Sequence, residues 1–135
     1  MRVMLDTNVF ISAILFPDSQ PFKAIEKVIM NYTLVLCSQI IEKLYEIFKR
    51  KFKDKINLLD RFLFKLSYEY IHSPVDINEE DYPGIRDKVD LPILATAILG
   101  EVDIIITGDK DFFDIKIEKC KIMTPKEFVE RFYGI

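Results

Sequence analysis

Asp103-Ile-Ile-Ile-Thr107 runs through three consecutive isoleucines with no polar residue between its ends. A strand with one wet face alternates apolar and polar side chains, so an unbroken β-branched run predicts a strand covered on both faces, as in a parallel sheet. Val3-Met4-Leu5 and Thr33-Leu34-Val35-Leu36-Cys37 share this character. Between these runs the apolar residues change to a helical period. Val9, Phe10, Ala13, Ile14 and Phe16 form one such series, ended by Pro17. Pro21 opens a second helix carrying Ile25, Val28 and Ile29. Ile40, Ile41, Leu44, Tyr45, Phe48 and Phe52 predict a third, with Ser38 as its N-cap and Glu42 and Glu46 on its polar side. A fourth runs from about Ile56 to Leu66.

Tyr68 to Ile71 reads as a weaker strand, and His72 to Val89 as an acidic loop broken by Pro74, Pro83 and Gly84. Asp90 suits the cap of a helix that has Pro92 in its first turn and stops at Gly100. Lys121-Ile122-Met123 reads as an edge strand, and Thr124-Pro125 starts a last helix through Phe132. Strands alternating with helices imply a three-layer α/β/α fold with a central, mainly parallel sheet and right-handed crossovers. A length of 135 residues suits a single domain spanning 1–135.

Composition narrows the function. With 50% apolar and 30% charged residues the chain has the profile of a soluble globular protein. Its most apolar stretch, Leu91 to Thr107, is interrupted by Pro92, Gly100, Glu101 and Asp103 and does not suit a bilayer span. The N-terminus enters a strand-to-helix unit at once, without a signal-peptide pattern, so a cytoplasmic protein is expected. The single histidine, His72, rules out mechanisms that need two, and no Gly-x-Ser-x-Gly elbow supports a serine triad. His72 therefore reads as structural. Cys37 and Cys120 lack metal-ligand spacing and read as small reduced side chains. A net charge of −3 supplies no global field for nucleic acid.

Acidic residues carry the chemistry. In an open parallel sheet ligands bind outside the carboxyl ends of the strands. Asp6 follows the first strand, Glu42 lies in the first turns after the second, Asp109 follows the strand ending at Thr107, and Asp90 begins a helix. One sheet edge is thus expected to collect all four. Singly, Asp6 and Asp90 suit helix caps, Asp109 a turn and Glu42 a solvated helix face; jointly they suit a cation. Carboxylates without histidine or cysteine favour a hard ion, Mg²⁺ or Mn²⁺. Thr7 and Asn8 are placed to hold a metal-bound water or orient Asp6, and Thr107 to hydrogen-bond Asp6 from the neighbouring strand.

Met1-Arg-Val-Met-Leu-Asp6-Thr7-Asn8-Val9-Phe10 resembles the opening motif of PIN-domain ribonucleases. Asp90-Leu-Pro-Ile-Leu-Ala-Thr-Ala97 is similar to their third acidic motif, and Ile105-Ile-Thr107-Gly-Asp109-Lys110-Asp111-Phe112 to their fourth. The motifs fall in the family's order along the whole chain. The resemblance implies a VapC-type endoribonuclease, the toxin of a toxin–antitoxin pair, with Asp6, Glu42, Asp90 and Asp109 as its acidic pocket. It implies Asp6, Asp90 and Asp109 as metal ligands and Asp111 as an accessory acid. The second motif departs from the family's acid-leucine pair: Lys43-Leu44 stands there, Glu42 one residue before and Glu46 one turn later. Glu42 lies nearer the sheet edge and is favoured; Glu46 is the alternative.

Bound ions in such a site polarise a phosphate, activate water and stabilise the departing oxygen, with no protein nucleophile. The resemblance implies RNA hydrolysis leaving a 5′-phosphate. Arg86, near Asp90, and Lys110, beside Asp109, are expected to touch substrate; Lys49, Arg50, Lys51, Lys53 and Lys55 form the dense basic run, which could contact the phosphate backbone and also suits a helix C-terminus. An antitoxin and a homodimer or higher oligomer are the expected partners, with Phe10, Phe16, Phe22 and Tyr45 as candidate apolar contacts. The other reading is a PIN-like module that binds RNA or protein without cutting.

Overall fold

The computed structural model describes residues 1–74, 77, 80, 91–113 and 120–132. Asp90, Arg86 and most of the acidic loop lie outside the described residues, as does the side chain of Asp111. Five strands form one sheet: β1 (Arg2–Leu5), β2 (Thr33–Cys37), β3 (Glu69–Ile71), β4 (Ile104–Ile106) and β5 (Lys121–Met123). Their order is β3-β2-β1-β4-β5. All four pairings are parallel, so among the described residues every strand of the central sheet runs parallel, as expected. The unbroken apolar runs are the cause. Val3, Met4, Leu5, Ile105 and Ile106 have no solvent-exposed surface, as strands covered on both faces require.

Helix α1 (Thr7–Leu15) leaves β1, followed by α2 (Gln20–Asn31). Helix α3 (Ser38–Lys51), a short 3-10 turn (Lys53–Lys55) and α4 (Ile56–Lys65) connect β2 to β3. Helices α5 (Leu91–Leu99), α6 (Lys110–Phe113) and α7 (Pro125–Phe132) complete the chain as described. Crossovers run one way from β1 through β2 to β3 and the other way to β4 and β5. Right-handed connections then lay helices over opposite faces of the sheet. Helix α1 packs on α2, α3 and α4, and α7 packs on α2. No helix among the described residues is long and apolar enough to cross a membrane.

Several local expectations shift. Ser38 is not the N-cap of α3 but its first residue; Cys37 holds the cap position and its side chain makes no cap bond. Ser73, beyond β3, does that work. Its Oγ accepts the Gln39 N–H at 3.2 Å, and its own N–H donates to Ser38 Oγ at 2.9 Å. Helix α5 ends before Gly100 as read, yet the left-handed residue is Glu101, at φ 53°. Val102 N–H bonds Ala97 O at 2.9 Å and Glu101 N–H bonds Ile98 O at 3.2 Å, the double closure of a Schellman motif. Gly100 is needed for space: a Cβ there would stand 2.8 Å from Ile71 Cδ1 and 2.9 Å from Thr96 O. Phe10 is a core residue, Phe22 and Tyr45 pack against the core, and Phe16 alone of the four candidate contacts is largely exposed. Cys37 and Cys120 are free thiols, both buried.

Candidate acidic cleft at the sheet edge

Register places the site. Leu5 of β1 pairs with Ile106 of β4, so Asp6 and Thr107 follow side by side where the strands end. Strand order reverses at β1, with β2 leading away on one side and β4 on the other. That is the switch point where parallel sheets open a crevice. Asp6 is the N-cap of α1 and only 5% exposed. One carboxylate oxygen accepts the Val9 N–H at 3.0 Å; the other accepts the Thr107 hydroxyl. Thr107 Oγ in turn accepts the Asp109 N–H at 3.0 Å. The expected Thr107–Asp6 bond is therefore present, and the same hydroxyl ties Asp109 to it.

A cleft of about 340 Å³ opens here, lined by Asp6, Thr7, Asn8, Gln39, Lys43, Glu46, Ile47, Arg50, Ile93 and Asp109. Burial pushes the Asp6 carboxyl above its usual range; the Asp109 charge adds to this, while Thr107, Val9 N–H and Lys43 oppose it. A buried carboxyl held in this way favours either a proton or a cation beside it. Thr7 Oγ is also buried in the cleft wall, without a hydrogen-bond partner among the described residues. Buried hydroxyls seldom stay unpaired, so a bound water or ligand suits this one.

The two candidates for the second acid line different clefts. Glu46, not Glu42, lines the cleft with Asp6 and Asp109; Glu42 lines a neighbouring cleft with Ser38, Gln39, Tyr70 and His72. Gln39, Lys43, Glu46 and Arg50 recur at steps of four, three and four, one face of α3. Lys43 was read only as a departure from the second motif and Arg50 only as part of the basic run; this spacing marks both for the cleft once the facing side is known. Of the basic run only Arg50 reaches the cleft. Lys110 is exposed at the start of α6 and is not among the residues lining it. Among the described residues no group of three or more His, Cys, Asp or Glu is close enough together to hold a metal ion. Asp6 and Asp109 supply two hard oxygen donors, and Asp90, outside the described residues, directly precedes α5, whose Ile93 lines the cleft.

A family model for the PIN domain matches residues 2–111. The chain belongs to the PIN-domain family. An uncharacterized protein of Methanocaldococcus jannaschii is 31% identical over an alignment of 147 residues, covering 98% of this chain and 92% of its own. Among solved structures, VapBC2 from Rickettsia felis, bound to a DNA fragment from its promoter, superposes with a TM-score of 0.67 and 26% identity, over 90% of this chain and 97% of that one. DNA-bound VapBC from Salmonella typhimurium superposes with a TM-score of 0.66 over 93% of this chain and 98% of that one. At 16% identity the second likeness speaks for the fold alone. The PIN fold and the VapC resemblance read from the motifs thus stand, and the acidic cleft lies at the carboxyl edge of a PIN sheet.

Proposed function

We propose that this chain, as a single PIN domain, is a metal-dependent endoribonuclease and the toxin member of a toxin–antitoxin pair. The observation that carries the reading is the Asp6–Thr107–Asp109 arrangement at the switch point, with Lys43 and Arg50 in the same cleft. Mg²⁺ or Mn²⁺ suits the site because its donors are carboxylate oxygens, one of them deeply buried. Asp6, Asp109 and Asp90 would hold the ion, with Glu46 in place of Glu42 as the fourth acid. When bound, the ion polarises the phosphate and lowers the proton affinity of water.

The chain's own residues prepare that step. Thr107 fixes the Asp6 carboxylate, so the ligand does not swing between orientations. Lys43 and Arg50 offset the phosphate charge along α3. Asn8 and Thr7 are available at the wall to orient water. In the overall reaction the P–O3′ bond breaks, the water oxygen stays on the 5′-phosphate, and a proton ends on O3′.

The likeness to VapBC complexes supports an antitoxin partner, and exposed Phe16 and Phe64 suit self-association as a dimer or higher oligomer. Lys43, standing where the family pattern has an acid, favours the second reading, an RNA-binding PIN module that does not cut. One experiment separates them. Wild type, Asp6→Asn, Asp90→Asn and Asp109→Asn are incubated with a mixed RNA panel and Mn²⁺. Cleavage by wild type, abolished in the folded variants, supports the nuclease. RNA retained intact by a wild type that binds it supports the module.

A further inference from the structure

A second cleft, of about 420 Å³, opens beside the acidic one at the same sheet edge, and Gln39 lines both. That size falls within the range of small-ligand pockets. Its walls differ in kind from those of the first. Tyr70, on edge strand β3, is 46% exposed and lines this cleft. The His72 ring stands edge-on to it, centroids 5.1 Å apart at 82°. Ser38 and Ser73 are spent on each other: the Ser73 N–H donates to Ser38 Oγ, and Ser73 Oγ accepts the Gln39 N–H. They lock the start of α3 to the exit of β3 and make a fixed wall. Glu42 and the Gln39 side chain remain to meet whatever enters.

We propose that this cleft is a nucleobase subsite, in which the base next to the scissile phosphate stacks on Tyr70 and offers its N–H edge to Glu42. The proposal rests on the acidic cleft being an RNA-cleaving site, because Gln39 then stands between the phosphate being cut and the adjoining base. Unstacked bases of single-stranded RNA are held by aromatic faces and read on their pairing edges. A carboxylate only accepts hydrogen bonds. It selects a base that shows adjacent N–H donors, and guanine, with its imino and amino groups side by side, fits best. Adenine and cytosine offer one amino group, and uracil a single imino N–H. The role of Glu42 is then discrimination between bases, and the second acid of the phosphate site is free to be Glu46.

The lone histidine makes the test direct, since the ring protons of His72 give the only histidine signals in a proton NMR spectrum. The probes are the four nucleoside 5′-monophosphates and ribose 5-phosphate, titrated into the full chain. Guanosine monophosphate is expected to move the His72 signals at the lowest concentration. Tyr70→Ala is expected to weaken that binding about 5- to 150-fold, the loss of one base–aromatic stack, while Tyr70→Phe retains it. Glu42→Gln is expected to erase the preference for guanine. The proposal is overturned if the His72 signals ignore all four nucleotides, answer equally to all four, or move as much with ribose 5-phosphate. Guanine-selective binding here by a protein that cuts no RNA would sink the nuclease reading and leave a base-binding cleft with no scissile phosphate beside it. RNA cleavage with unmoved His72 signals would do the reverse.

Discussion

The Thr107 hydroxyl donates to the Asp6 carboxylate across 101 residues of sequence, and the strand register alone brings the two together. Thr107→Val keeps the shape of the side chain and removes the bond. One oxygen of a buried carboxylate then loses its partner, at a cost of about 1–3 kcal/mol. Thermal melts should show that loss. Cleavage or Mn²⁺ affinity should fall about 10- to 100-fold, as for other residues that orient a metal ligand. Thr107→Ser should behave as wild type.

Metal binding should depend on pH with a defined sign. Burial raises the Asp6 pKa, so its neutral form is favoured in the fold. The associated stability is fully present below the ordinary carboxylate value and is lost as pH rises through the raised one. In metal-free protein the melting temperature of Asp6→Asn relative to wild type should therefore climb with pH across that window. Mn²⁺ should stabilise wild type by about 2.7 kcal/mol at a hundredfold excess over Kd, more weakly at low pH, and leave Asp6→Asn nearly unmoved. A Mn²⁺ response equal in both proteins would remove Asp6 from the ligand set.

Metal binding should separate Glu46 from Glu42. Glu46→Gln should lower Mn²⁺ affinity measured by calorimetry, since Glu46 shares the cleft of Asp6 and Asp109. Glu42→Gln should leave that affinity unchanged, because Glu42 faces the adjoining cleft. The opposite pattern would restore Glu42 as the second acid.

At the end of α5, two substitutions should act in opposite directions. Gly100→Ala forces a Cβ to within 2.9 Å of the Thr96 carbonyl, a backbone atom that cannot step aside. Stability should fall by about 1–3 kcal/mol, an overpacking cost. Glu101→Gly relieves the left-handed backbone at φ 53° and should raise it by about 1 kcal/mol. Denaturant midpoints measure both.

Cys120 should resist alkylation. Burial pushes its thiol up to about 11, so almost no thiolate exists at pH 8. Peptide mapping after brief iodoacetamide treatment should find Cys120 unmodified in native protein and modified in denaturant.

The sheet was legible because the isoleucines of β4 and the apolar residues of β1 are buried on both faces, and period alone reports that. Which acid of α3 lines the Asp6 cleft was not. Ile40, Leu44 and Phe48 form the buried stripe of α3, with Glu42 and Glu46 two residues on either side of Leu44. At 3.6 residues per turn they lie only about 40° apart, straddling the point opposite the core. Apolar periodicity locates that point but cannot tell which flank meets α1 and Asp6; only the packing of α3 does. The Ser38 cap failed for a related reason, since its replacement, Ser73, comes from a segment beyond β3. That Lys43, and Arg50 of the basic run, line the cleft became visible only with the facing side of the helix known.

The placement of β1 at the middle of the sheet, with β2 and β4 as its neighbours, also fixes an order in time. Asp6 leaves the ribosome 101 residues ahead of Thr107. At about 5–20 residues per second that is an interval of about 5–20 s in which the carboxylate has been made and its partner has not. Through that interval the nascent chain holds the first acid without the strand that orients it. The Asp6–Thr107 bond can form only once β4 lies beside β1, so the topology itself puts the completed cleft after the synthesis of β4.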